Sequence, residues 1–148
     1  MTLLYTEEQK NLIDLVKEFA EKEIKPHVAE LDEKGECPIE LFKGAFDMGL
    51  HMLEIPEEYG GEGLSYETTA MLFEELAKVD AGYAITLVTT FVALRSVILS
   101  GTHEQGQLFS DIIAPGAFAG FALTEPNAGS DIVAMNGKAV KDGNDYVI

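Results

Sequence analysis

Phe118 to Ala134 reads F-A-G-F-A-L-T-E-P-N-A-G-S-D-I-V-A. Ala117 to Leu123 is an apolar run of mostly small residues, which predicts a buried strand. The run breaks at Thr124-Glu125-Pro126-Asn127. Pro126 fixes its own φ and biases Glu125 away from helix. Asn127 and Gly129 tolerate positive φ, so a tight turn is expected, with backbone N–H groups facing one point. Thr124 and Ser130 add hydroxyls, and Ile132-Val133 resumes the apolar run. A strand, a loop of small polar residues and a second strand can cradle an oxyanion such as a phosphate, because N–H groups and hydroxyls do the holding.

Downstream, the β-branched runs Ile132–Lys141 and Tyr146–Ile148 flank Asp142-Gly143-Asn144, a hairpin signal. Upstream, the pattern is helical. Thr6-Glu7-Glu8-Gln9 is a capping box, and Leu12, Ile13, Leu15, Val16, Phe19 and Ala20 keep one apolar face behind it. Pro26 predicts an end or kink near Glu23, followed by a short helix over Val28–Glu33 with Gly35 after it. Pro38 suits the first turn of a third helix faced by Leu41, Phe42, Ala45 and Phe46, with Gly49 at its C′ position. Leu50–Leu64 is expected as a loop. Its Gly60-Gly61-Glu62-Gly63 lacks dinucleotide spacing and follows two acids, so a phosphate role is discounted. Ser65 caps a fourth helix with Tyr66, Thr69, Ala70, Phe73, Leu76 and Ala77 inward and Glu74, Glu75 and Lys78 outward. Tyr83–Leu99 is apolar almost all round, with Arg95 its one charge. It is short for a membrane span and suits a central helix walled by its neighbours. Thr102-His103-Glu104-Gln105 opens a sixth helix, which Pro115-Gly116 stops.

The fold class is therefore mainly α: a bundle of about six helices over residues 1–116, then the opening strands of a β-domain over 117–148. Because Ile148 falls inside a strand pattern, the chain is expected to be a fragment of a longer one. In 148 residues, 47% are apolar and 24% charged, a globular composition. The net charge of −16 argues against nucleic acid and anionic membrane surfaces as partners. The one cysteine, Cys37, excludes an internal disulfide and has no activating neighbour in sequence. The start of the chain has no basic n-region or long apolar h-region, which predicts no signal peptide and a cytoplasmic protein. His27, His51 and His103 share no ligand spacing, so no metal site is expected and each reads as a surface or capping residue. Gly129-Ser130-Asp131 lacks the nucleophile elbow of a serine hydrolase.

Ala122 to Asp131 resemble the signature of the acyl-CoA dehydrogenase family, small-apolar-Thr/Ser-Glu-Pro-x-Ala-Gly-Ser-Asp. The departure is Asn127, where Gly is commonest. A P-E-x-Y-G-G loop between helices, here from Pro56, is also similar. The resemblance implies FAD along Phe121–Ser130. Phe121, Ala122 and Leu123 would line the flavin, the Thr124 hydroxyl would bond its pyrimidine side, and Gly129 and Ser130 would meet the pyrophosphate. Ser130 would also lie near the pantetheine arm of an acyl-CoA substrate. The implied reaction is α,β-dehydrogenation of an acyl thioester, with a carboxylate removing the α-proton and flavin N5 accepting the β-hydride. No catalytic residue is expected in this chain, since the family's base is a Glu in a later helical domain and its Trp-x-Thr/Ser flavin motif also follows the signature. Electron-transfer flavoprotein is the implied acceptor, and a homo-oligomer, dimer or tetramer, the implied assembly. Glu125 reads as structural. Ile85, Val88 and Val92 share a helix face that either lines the acyl pocket or packs the bundle. Two other functions compete: a helical interaction module whose β tail pairs with a partner, and an acyl-CoA oxidase or related flavoenzyme.

Overall fold

The computed structural model describes residues 5–148. The reading of Met1–Leu4 as part of a start without a secretory leader lies outside the described residues. Helix α1 (Glu7–Phe19) opens with the expected capping box: the Thr6 hydroxyl accepts the Gln9 N–H at 3.1 Å, and the Gln9 side chain accepts the Thr6 N–H at 3.0 Å. The expected break near Glu23 is a wide π turn over Ala20–Ile24, in which the Lys25 N–H reaches back to the Ala20 carbonyl. The chain stays helical into α2 (Lys25–Lys34), which therefore starts before Val28, and ends at Gly35 with φ 65°. Pro26 has no N–H and its ring crowds the preceding turn, and a widened turn accommodates both problems. Leu15, expected on the inner face of α1, is exposed, while Val16 and Ala20 are buried.

Pro38 precedes a 3-10 turn (Ile39–Phe42) that runs into α3 (Lys43–Asp47), and Gly49 turns the chain at φ 70°. Residues 50–64 carry no regular element beyond a 3-10 turn at Glu57–Tyr59. They are nonetheless core: Leu50, His51, Met52, Leu53, Ile55 and Tyr59 are buried. A buried loop must satisfy its own backbone. This one does so with the Leu64 N–H on the Leu53 carbonyl at 2.8 Å, Gly63 on Ile55 at 2.9 Å and Glu62 on Met52 at 3.2 Å. A Cβ at Gly61 would stand 2.1 Å from the Ile55 carbonyl oxygen, so close packing of backbone on backbone requires glycine there.

Helix α4 (Tyr66–Val79) is capped by Ser65 and buries Thr68, Thr69, Leu72, Phe73 and Leu76. Tyr66, Ala70 and Ala77 are exposed instead, because the stripe is set by two neighbours, α1 and α5, and not by one. Asp80 both ends α4 and caps α5 (Ala81–Ser100), its carboxylate accepting the Tyr83 N–H at 2.7 Å. Among the described residues α5 is the one helix long and apolar enough to cross a membrane. It lies between α4 and α6 (His103–Ile113), with Leu87, Thr90 and Leu94 wholly buried. Its single charge, Arg95, bonds Glu54 at 3.1 Å and lies 4.1 Å over the Tyr66 ring. That contact joins the buried loop and the start of α4 to the central helix.

After Gly116 the described sheet is small. Strands β1 (Val140–Asp142) and β2 (Asp145–Val147) pair antiparallel around the expected hairpin turn, where Gly143 has φ 61°. The expected strand over 117–123 carries no regular element and no strand pairing, and Phe118, Phe121 and Leu123 are exposed rather than buried. Ile132–Ala134 form a 3-10 turn in place of a strand. Apolar content, whether aromatic as in 117–123 or β-branched as at Ile132-Val133, favours a ladder only where a neighbour supplies N–H and carbonyl groups, and no described strand pairs with either segment.

The Glu54–Arg95 pair gives a test of the core. The Glu54 side chain is only 10% exposed, and burial pushes its carboxyl above the ordinary value while Arg95 pulls it back. Arg95→Met is expected to cost about 1–3 kcal/mol in a urea melt, because Glu54 loses its partner. Arg95→Met with Glu54→Leu should recover most of that loss; a double variant no more stable than the single one would assign the cost to packing alone.

Candidate functional site

The chain leaves α6 through a compact set of contacts. The Ile113 carbonyl accepts the N–H groups of Gly116 (3.0 Å) and Ala117 (3.1 Å). Gly116 has φ 105°, and a Cβ there would meet the Phe46 ring at 3.2 Å. The Ala119 N–H then points to the Thr90 hydroxyl at 3.4 Å. Phe121 forms part of the wall of an open groove of about 730 Å³, whose α5 side is Ala93, Ser96, Val97 and Ser100.

Beyond the groove the loop closes on itself. Glu125 and Ala128 exchange both backbone hydrogen bonds at 3.1 Å, with Pro126-Asn127 at the tip and Ala128 only 1% exposed. The turn is made without positive φ at Asn127 or Gly129, contrary to the expectation from their side chains. The paired Glu125 and Ala128 already close the four-residue turn. The Glu125 carboxylate accepts the N–H groups of Asn136 (2.8 Å) and Gly137 (2.9 Å), which ties the two arms of the loop together. Its role is thus structural. The hydroxyls of Thr124 and Ser130 and the N–H groups of Gly129 and Ser130 have no protein partner among the described residues, and all three residues are exposed. Small residues with free donors on one loop suit an anionic or carbonyl oxygen. On chemistry, the donor set fits the phosphates and ring oxygens of a dinucleotide.

The structure divides the expected residues. Phe121, Ala122, Leu123, Thr124, Gly129 and Ser130 lie within one ten-residue stretch, and each of the six is exposed. Ile85, Val88 and Val92 lie elsewhere on α5. Ile85 is 56% exposed and borders a separate cavity of about 460 Å³ with Cys37, Asp80 and Thr86. Val88 and Val92 are half-buried against the core. The α5 residues that do share a groove with Phe121, among them Ala93 and Val97, were not singled out from sequence. Their helical spacing from Ser100 was the available signal.

The histidines need correction. His51 is neither a surface nor a capping residue: it is 1% exposed, and its Nε2–H donates to the carbonyls of Ile113 (3.1 Å) and Ala114 (3.2 Å). A buried loop beside a helix end needs a donor for the last carbonyls, and His51 supplies it. Its Nδ1 has no partner among the described residues. His103 does stand in the first turn of α6, where its Nδ1 meets the Tyr59 hydroxyl at 2.9 Å, and His27 is exposed. Among the described residues no cluster of His, Cys, Asp and Glu has metal-binding geometry.

A family model described as acyl-CoA dehydrogenase, N-terminal domain, matches residues 6–116. The chain belongs to the acyl-CoA dehydrogenase family. The probable acyl-CoA dehydrogenase YngJ of Bacillus subtilis is 37% identical over 150 residues, covering 100% of this chain and 40% of that protein. Butyryl-CoA dehydrogenase from Megasphaera elsdenii superposes with a TM-score of 0.83 at 34% identity, over 97% of this chain and 39% of that one. A chain in a structure of the electron transferring flavoprotein of Acidaminococcus fermentans gives 0.88 at 38% identity, over 99% and 39%. A glutaryl-CoA dehydrogenase from Mycobacterium smegmatis in complex with FADH2 gives 0.86 at 26% identity, over 96% and 37%. The chain thus spans about two fifths of the length of these acyl-CoA dehydrogenase relatives, and flavin-bound structures occur among them.

Burial holds the His51 imidazole below its ordinary value, against the pull of its two carbonyl partners. A charged ring would carry a second N–H on Nδ1, which has no acceptor among the described residues. The folded state therefore prefers neutral His51. Its contribution is full above the unfolded value of about 6.5 and is lost as pH falls from there toward the lowered folded value. His51→Gln keeps a donor and cannot titrate. The gap in melting temperature between wild type and this variant should narrow from about pH 7 to about pH 5; a constant gap would show that His51 does not titrate in the folded range.

Proposed function

We propose that this chain is the amino-terminal part of an FAD-dependent acyl-CoA dehydrogenase that desaturates an acyl thioester between its α and β carbons. The observation that carries the reading is the loop Phe121–Ser130 in a family member: a small-residue turn with unpaired hydroxyls and N–H groups, beside a groove walled by the central helix. FAD held there supplies the acceptor for the substrate hydride. The chain's own residues bind and orient. The Thr124 hydroxyl would bond the pyrimidine side of the flavin, the Gly129 and Ser130 N–H groups would hold the pyrophosphate, and Phe121, Ala122 and Leu123 would line the ring. Ser130 also meets the pantetheine arm. The proton-abstracting carboxylate belongs to the part of the protein after Ile148, in keeping with relatives more than twice as long. Electron-transfer flavoprotein is the proposed electron acceptor, supported by the match to a chain in a structure of that protein.

The test is to purify the full-length protein and record its visible spectrum and its reduction by an acyl-CoA series. Flavin absorption that bleaches with acyl-CoA is expected. Thr124→Ala and Ser130→Ala should each weaken FAD retention by about 1–3 kcal/mol, the cost of leaving a bound polar group without its partner. Unchanged flavin affinity in both would make the loop purely structural.

The same protein tests the α5 face. If Ile85 meets the acyl chain, Ile85→Phe should move preference toward shorter thioesters, with relative kcat/KM changing roughly tenfold and the melting temperature unaffected. Val88→Phe, by contrast, enters a packed surface and should lower stability for all substrates alike. A chain-length series unchanged by Ile85→Phe would remove this face from the substrate site.

A further inference from the structure

The segment that carries the proposed flavin residues has no strand beside it among the described residues. Between Ala119 and Glu125 its backbone makes no intrachain hydrogen bond there. Its placement over α5 therefore depends on what grips its first residues, and two side chains do so. The Phe118 ring stands edge-on to Phe42 at 5.0 Å and 87°, and to Phe46 at 5.0 Å and 61°. Phe42 is itself immobilised, stacked on Tyr83 at 4.2 Å and 3°, and the Tyr83 hydroxyl donates to the Leu41 carbonyl at 3.2 Å. Phe46 is held against His51. One step along, Thr90 is fully buried in mid-helix, an unfavourable place for a hydroxyl unless it is used. It donates to the Thr86 carbonyl at 3.3 Å and accepts the Ala119 N–H at 3.4 Å.

We infer that Phe118 and Thr90 are positioning residues for the cofactor loop: they fix where the chain leaves the helical bundle and so aim Phe121–Thr124 at the flavin. The inference rests on the flavin reading above. Neither side chain touches the cofactor. Phe118 is 38% exposed at the edge of the aromatic cluster, so the bundle does not depend on it for closure. Thr124 follows Ala119 by five residues, at most about 18 Å of chain. An error in direction at Ala119 is therefore carried to the hydroxyl that bonds the ring.

The test uses the full-length protein with FAD, and Thr124→Ala as the direct binding control. Phe118→Leu and Thr90→Val are each expected to raise the FAD Kd roughly tenfold, as the loss of two edge-on ring pairs or of one buried acceptor would do. They should also shift the visible flavin band, while the melting temperature of the apo-protein stays within about 2 °C of wild type. Phe118→Tyr, which keeps the ring edges, should restore wild-type affinity. The inference is overturned if Thr124→Ala weakens FAD binding but neither Phe118→Leu nor Thr90→Val does, or if Phe118→Tyr binds as weakly as Phe118→Leu. If the wild-type protein takes up no FAD, the flavin reading and this inference fall together.

Discussion

Helix α5 is apolar around nearly its whole circumference, and such a cylinder must be walled on several sides to stay out of water. The neighbours divide the task. Helix α4 covers one side and α6 another, while the loop over residues 50–64 supplies Leu53, Ile55 and Tyr59 to the same core. The segment after Gly116 crosses a further part, with Ala119 packed in and Phe121 at the groove. Each wall is held by polar chemistry at its edge: Asp80 between α4 and α5, Arg95 with Glu54 for the loop, and His51 on the last carbonyls of α6. The proposed cofactor loop follows from this arrangement, because the crossing over α5 delivers Phe121 to its place.

Local rules read well from sequence wherever a short stretch decides the outcome alone. The capping boxes at Thr6 and Thr102 and the caps at Ser65 formed as their residues dictate, since donor and acceptor are three positions apart and need no tertiary help. Gly35, Gly49 and Gly143 took positive φ for the same reason. Elements decided by neighbours read less well. The inner face of α4 was expected at Tyr66, Thr69, Ala70, Phe73, Leu76 and Ala77; Thr69, Phe73 and Leu76 are buried, but Thr68 is buried as well and Tyr66, Ala70 and Ala77 are not. The strand over 117–123 has strand composition but no described partner. The stretch 50–64 was expected as a loop and His51 as a surface or capping residue, yet the loop's apolar residues and His51 are core.

The signature loop was legible as a site because its residues are contiguous, so no fold was needed to bring Thr124, Gly129 and Ser130 together. Its depth was not legible. The groove beside Phe121 is completed by Ala93 and Val97, small and ordinary residues on a helix already full of apolar ones, and nothing in their types distinguishes them from core. The positioning contacts were equally silent. A phenylalanine in an apolar run and a threonine in a long helix acquire meaning only when the backbone places Phe118 on Phe42 and Ala119 on Thr90.

The π turn at Ala20–Ile24 bears on how such chains are compared. A five-residue turn takes up one residue more than an α turn, so side chains after it are displaced by about 100° around the axis relative to those before it. Two faces are thereby built from one continuous rod: α1 turns Val16 toward the core, and α2 turns Val28 and Leu31 toward the region of Leu41 and Tyr83. A relative that lacks one residue here could close the turn to ordinary α geometry without losing the helix. An alignment would show that as a single-residue gap inside a helix. Its meaning would be a rotation of everything in α2, and with it a different lining for the cavity beside Cys37 and Ile85.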